Sequence, residues 1–201
     1  MNLPNILTLL RIISVPFIGY MLYIEEYTIA LVLFIASGLT DILDGYLARK
    51  MNTISSFGKL ADPFADKLVQ VTALAILYTK GVVPWAVLAI VCVKEVLQLL
   101  GGFNLFRKKN IVVYSNKIGK IASFIFYLAV GFSILLSVIG KEMYKDPGRF
   151  TSIIQIMLAL AVIPMLIAFY KYLNNFLKFK KGIPEDVVMA PKQRKDKSKK
   201  V

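Results

Sequence analysis

Four aspartates carry the strongest chemical signal in the chain. Residues 41–45 read Asp-Ile-Leu-Asp-Gly and residues 61–66 read Ala-Asp-Pro-Phe-Ala-Asp, which sets Asp41, Asp44, Asp62 and Asp66 within one short stretch. On a helix, Asp41 and Asp44 stand about 60° apart and Asp62 and Asp66 about 40° apart, so each pair shares a face. A short connection, punctuated by Gly58 and Pro63, predicts two antiparallel helices that bring the pairs together. Four carboxylates at one point repel one another and take up protons unless cations neutralise them. Two divalent ions would do so. Ligation by oxygen alone selects Mg²⁺, with Mn²⁺ as the substitute, and paired ions of this kind serve displacement at phosphorus. Taken singly, Asp62 could instead be a helix cap ahead of Pro63.

The rest of the sequence must position those carboxylates, and it is unusually apolar. Of 201 residues, 57% are hydrophobic, against about 45–50% in soluble domains. Apolar runs alternate with short charged stretches, which predicts an all-α integral membrane protein of six transmembrane helices, near 4–24, 27–48, 63–80, 82–101, 118–139 and 150–171. There is no histidine and only one cysteine, Cys92. This excludes histidine-based nucleophilic catalysis, histidine-ligated zinc and an internal disulfide. The N-terminus lacks the basic region and cleavage site of a signal peptide and is expected to be the first span.

The uncharged cores of these spans differ in length. Those of spans five and six run to 20 and 21 residues (121–140 and 150–170), enough for about 30 Å of hydrocarbon. The first four have only 13, 14, 12 and 13 uncharged residues, so each must draw polar groups inward to cross. With alternating orientation these groups fall on one side: Asn5, Thr8 and Arg11; Asp41 and Asp44; Asp62, Asp66 and Lys67; Lys94 and Glu95. Charge in hydrocarbon needs water or partners, so the expectation is a polar cavity open to one leaflet. The excess of lysine and arginine in the loops on that side makes it cytoplasmic, with both termini.

The formal charge of +13 is concentrated near the end, where ten of the 25 basic residues lie in 171–201. A basic segment beside a membrane suits acidic lipid headgroups rather than nucleic acid. The expected organisation is therefore a six-span domain, 1–175, and a basic, disordered cytoplasmic tail, 176–201.

Eight of these residues also form a pattern: Asp, two residues, Asp-Gly, two, Ala-Arg, eight, Gly, three, Asp, three, Asp, from Asp41 and Asp44 through Gly45, Ala48, Arg49 and Gly58 to Asp62 and Asp66. It resembles the signature of the CDP-alcohol phosphatidyltransferase family, and the opening Leu-Pro-Asn-Ile-Leu-Thr-Leu-Leu-Arg-Ile is similar to that family's N-terminal segment. The resemblance implies transfer of a phosphatidyl group from CDP-diacylglycerol to an alcohol, with release of CMP, by a homodimer. The absence of targeting sequences is compatible with a bacterial plasma membrane, which is the expected location. It implies that the four aspartates hold the metal ions, that Asp66 also takes the acceptor proton, and that Asn5, Thr8, Arg11, Gly45, Ala48, Arg49 and Gly58 contact the nucleotide.

The acceptor is read from cations outside the signature. Lys94, Arg107, Lys117 and Lys120 favour a small anionic acceptor, and the overall pattern resembles the branch of the family that uses glycerol 3-phosphate. That branch usually carries Arg-Glu where this chain has Lys94-Glu95, and Gly-Lys-Ile-Lys-Thr where it has Gly119-Lys-Ile-Ala-Ser123. The departures suit an acceptor with less charge, so phosphatidylglycerol, giving cardiolipin, is the alternative. From a different class, a divalent-cation transporter would also place carboxylates within spans, but it needs polar groups across both leaflets, which spans five and six do not offer.

Overall fold

In the computed structural model, residues 3–50, 56–109 and 117–180 are described. They form six helices: α1 (Leu3–Tyr23), α2 (Tyr27–Lys50), α3 (Ser56–Thr79), α4 (Trp85–Lys109), α5 (Lys117–Tyr144) and α6 (Thr151–Lys180). Among the described residues there is no strand. Three stretches are long and apolar enough to cross a membrane, Ile6–Tyr23, Ile118–Tyr144 and Thr151–Asn174, while Tyr27–Leu43 is a shorter apolar stretch. The α1 stretch reaches that length by including Arg11, the inward draw of a charged residue expected of a short span.

The helices overrun the apolar runs at their polar ends. α3 begins at Ser56, so Gly58 and Pro63 lie inside it instead of marking the turn, and Asp62 is an interior residue instead of the cap. Pro63 is the eighth residue of α3, past the turn whose donors are spare, so the helix accommodates it at the cost of one backbone hydrogen bond. α6 likewise continues past residue 175 to Lys180. The rest of the basic tail, 181–201, lies outside the described residues.

Two of the tight turns have a common construction. α1 ends at Glu25 with φ of 64°; the Glu25 N–H reaches the Leu22 carbonyl at 3.2 Å and the Glu26 N–H the Met21 carbonyl at 2.8 Å. α3 ends the same way at Gly81, with φ of 73° and the Val82 N–H 3.0 Å from the Leu77 carbonyl. This left-handed cap satisfies the last carbonyls of a helix and usually employs glycine. Glu25 takes it at some steric cost, which its ion pair with Lys80 and the Lys141 hydrogen bond to its carbonyl help to offset.

The chain divides into two compact units. The first comprises Met1–Cys92 and Tyr127–Leu160, the second Val93–Phe126 and Ala161–Val201. In the first, α1 packs against both α2 and α3, which touch each other more lightly. Ile18, Leu22, Phe34, Leu74, Leu77, Ile134, Ile154 and Leu158 are completely buried there. Contacts along the helices set their directions. Arg11 meets Asp41 and Gly19 faces Thr72, while Lys80 and Lys141 both reach Glu25. α2 therefore runs antiparallel to α1, and α3 runs parallel to it. On α6, Ile153, Ile156, Leu160, Ile163, Ile167 and Tyr170 are exposed while Ile154, Leu158, Val162 and Met165 are buried. A helix apolar on opposite faces belongs in lipid.

Candidate active site

One end of the first unit gathers polar side chains from four helices. Thr8 and Arg11, three residues apart on α1, are both buried. The Arg11 guanidinium donates to Asp41 Oδ1 on α2 at 2.8 Å, with the arginine side chain 1% exposed and the aspartate 43%. Asp66 follows on α3, and the buried Gln70, one turn further, brings its amide nitrogen to 3.5 Å from Asp66 Oδ2. Tyr127 of α5 has its hydroxyl within electrostatic reach of Asp66, Asp41 and Arg11. One aspartate from each sequence pair is thus within electrostatic reach of the same hydroxyl.

The local sequence explains the placement. Thr40 turns its hydroxyl back onto the Ser37 carbonyl at 2.7 Å, and Ser14 does the same to the Arg11 carbonyl at 2.7 Å. Such bonds let a polar residue sit in an apolar helix without an unsatisfied hydroxyl. Asp41 is pinned on one side by a buried cation and left accessible on the other.

The remaining signature positions are helical: Asp44, Gly45, Ala48 and Arg49 lie in the last turns of α2, and Gly58 and Asp62 in the first turns of α3. Their side chains, and that of Asn5 in α1, lie outside the described residues. The second unit contains all four acceptor candidates. Lys94 is buried there, its ammonium 2.7 Å from Glu95 Oε1, with side chains 5% and 6% exposed. Lys120 is exposed on α5. Arg107 and Lys117 belong to α4 and α5, and their side chains lie outside the described residues.

Two participants escape a reading by sequence. Gln70 could have been found, because it interrupts the apolar run of α3 one turn after Asp66. Tyr127 could not. It is an aromatic among aromatics on α5, brought to α2 across 93 positions of chain.

Residues 1–170 match the CDP-alcohol phosphatidyltransferase family. The chain belongs to that family. Its curated relatives include the CDP-diacylglycerol–glycerol-3-phosphate 3-phosphatidyltransferase of Rickettsia felis, 30% identical over 181 residues, which cover 89% of this chain and 97% of the relative. A chloroplastic/mitochondrial protein of Arabidopsis thaliana with the same activity in its name is 42% identical over 95 residues, 42% of this chain and 32% of the relative. A probable CMP-forming cardiolipin synthase of Drosophila melanogaster is 36% identical over 104 residues, 51% of this chain and 32% of the relative. As a CDP-alcohol phosphatidyltransferase, the chain is a transferase of phospholipid synthesis and a membrane protein.

Proposed function

We propose that this enzyme transfers the phosphatidyl group of CDP-diacylglycerol to glycerol 3-phosphate, forming phosphatidylglycerophosphate and releasing CMP. The observation that carries the reading is the Arg11–Asp41 ion pair in a member of this family, with Asp41 and Asp66, one from each half of the signature, both within electrostatic reach of the Tyr127 hydroxyl. The Rickettsia felis relative, similar along nearly its whole length, supplies the acceptor.

The described donors fit a hard divalent cation. Asp41 and Asp66 present carboxylate oxygens, and Asp41 is open on one side. With Asp44 and Asp62, these residues would hold two Mg²⁺ ions, or Mn²⁺. When bound, the ions supply charge neutralisation for the pyrophosphate and the departing CMP. Asp66 accepts the proton of the acceptor hydroxyl as its oxygen bonds to the phosphorus nearer the lipid, and the bond from that phosphorus to the CMP oxygen breaks. Arg11 compensates part of the charge on Asp41 and orients it. Asn5, Thr8, Arg11, Gly45, Ala48, Arg49 and Gly58 contact the nucleotide, and Lys94, Arg107, Lys117 and Lys120 draw in the acceptor phosphate.

Six spans with both termini in the cytoplasm, a cavity in the inner leaflet of a bacterial plasma membrane, a homodimer, and a basic tail against acidic headgroups complete this reading. A donor half lipid and half nucleotide requires a site that meets both bilayer and cytosol. A second reading, phosphatidylglycerol as acceptor, draws on the loss of the second lysine in Gly119-Lys-Ile-Ala-Ser123 and on the Drosophila relative.

The test is CMP release by purified protein from CDP-diacylglycerol with Mg²⁺, adding glycerol 3-phosphate or phosphatidylglycerol separately. Release with glycerol 3-phosphate alone supports the first reading; release with phosphatidylglycerol alone replaces it by the second. Lys120→Ala is expected to raise the KM for glycerol 3-phosphate about tenfold, the scale of one charge-assisted phosphate contact, and to leave that for CDP-diacylglycerol unchanged. An equal rise in both would remove Lys120 from the acceptor site.

A further inference from the structure

The Tyr127 hydroxyl donates to the Phe34 carbonyl, the acceptor that an α-helix assigns to the Gly38 N–H. A carbonyl oxygen has two lone pairs and can serve both. The Tyr127 ring stacks on that of Phe34, centroids 4.4 Å apart and planes at 16°. Gly38 makes the approach possible, since a Cβ there would stand 2.5 Å from the Tyr127 hydroxyl oxygen and 2.8 Å from the ring carbon that bears it. Asp41 lies three residues further along the same helix, and Arg11 holds its carboxylate from α1. The stretch of α2 from Phe34 to Asp41 is thereby fixed from two neighbouring helices.

We infer that Tyr127 is a positioning residue that sets the affinity of the aspartate site for its divalent cation, through the backbone of α2 and hence Asp41. The inference rests on the reading that Asp41 and Asp66 ligate that cation. Metal ligands must be held within about 0.5 Å of their working geometry by the groups around them. Without the hydroxyl, α2 can slide against α5 and carry Asp41 with it. Loss of an outer partner that orients a ligand typically weakens metal binding by about 10–100-fold.

The second unit supplies an internal control. Tyr172 on α6 donates to the Gln98 carbonyl on α4 at 3.2 Å, and a Cβ at Gly101 would stand 2.7 Å from its hydroxyl oxygen. The construction is the same, a tyrosine seated on a helix carbonyl beside a glycine, but no residue of the aspartate signature belongs to that unit.

The experiment measures Mn²⁺ binding to the purified full-length protein by electron paramagnetic resonance, with CMP present, alongside thermal unfolding. Tyr127→Phe, which keeps the ring, and Gly38→Ala, which displaces the hydroxyl, are expected to raise the Mn²⁺ Kd at least tenfold. Tyr172→Phe is expected to leave it unchanged while costing similar thermal stability. Wild-type affinity in Tyr127→Phe would overturn the inference even if Gly38→Ala failed to fold. So would an equal loss in Tyr172→Phe, which would mark a general loosening. Absence of Mn²⁺ binding in the wild type, with CMP release intact, would instead overturn the metal reading and this inference with it.

Discussion

The two ends of the first unit use charge in opposite ways. At the end where α1 turns into α2, Lys80 reaches Glu25 Oε1 at 2.8 Å, and Lys141 reaches both the Glu25 carbonyl at 2.8 Å and Glu26 Oε1 at 3.4 Å. Lysines from α3 and α5 thus staple one loop, and both members of each ion pair remain partly in solvent. At the other end Arg11 is sunk out of solvent while its partner Asp41 stays half open. The first arrangement holds a turn in a strained cap. The second buries a cation and leaves its carboxylate partner half exposed, at the end where the proposed metal ligands lie.

The contrast can be broken most severely at the end that carries the aspartates. Asp66→Asn is expected to lower CMP release by about a thousandfold or more, the scale of general-base loss, with the thermal unfolding midpoint kept or raised because a like charge has been removed. Retained turnover would take away the base assignment. The Lys94–Glu95 pair is buried on both sides, and its contribution to stability can be separated from the acceptor role proposed for Lys94. Lys94→Met leaves a buried carboxylate without its lysine and should destabilise by about 3 kcal/mol, and the double variant Lys94→Met/Glu95→Gln should recover most of that in chemical denaturation. If the double variant is stable but binds glycerol 3-phosphate much more weakly, Lys94 has an acceptor role as well. Lys80→Ala should matter least, at no more than about 1 kcal/mol and with CMP release unaltered; a large loss of activity there would join the two ends functionally.

Much of this was legible from residue types and spacing. The six helices follow the apolar runs, because a span long enough for lipid must form its hydrogen bonds within itself. Helical periodicity and a short connection predict that Asp41 and Asp66 lie near each other, and both come within electrostatic reach of the Tyr127 hydroxyl. The turn between them was misread. Gly58 and Pro63 are usual breakers in water, but α3 runs through both, at the cost of one backbone hydrogen bond at the proline. Arg11 was recognisable as a polar intrusion into a span, though its partner was not, since the Arg11–Asp41 contact is 30 positions apart in the chain. Tyr127 left no trace at all. A hydroxyl seated on a distant backbone carbonyl has no local pattern, and the glycine that admits it looks like any other small residue in a membrane helix.

The close fit at Gly38 constrains how this sequence can drift. While Tyr127 is present, any side chain at position 38 meets its ring and hydroxyl within 3 Å, so alanine there is obstructed. Replacement of Tyr127 by a shorter residue removes the obstruction and leaves position 38 open to alanine or serine. The pair is therefore exchanged at lower cost with the tyrosine first and the glycine second, because in the reverse order the tyrosine ring must be pushed off α2.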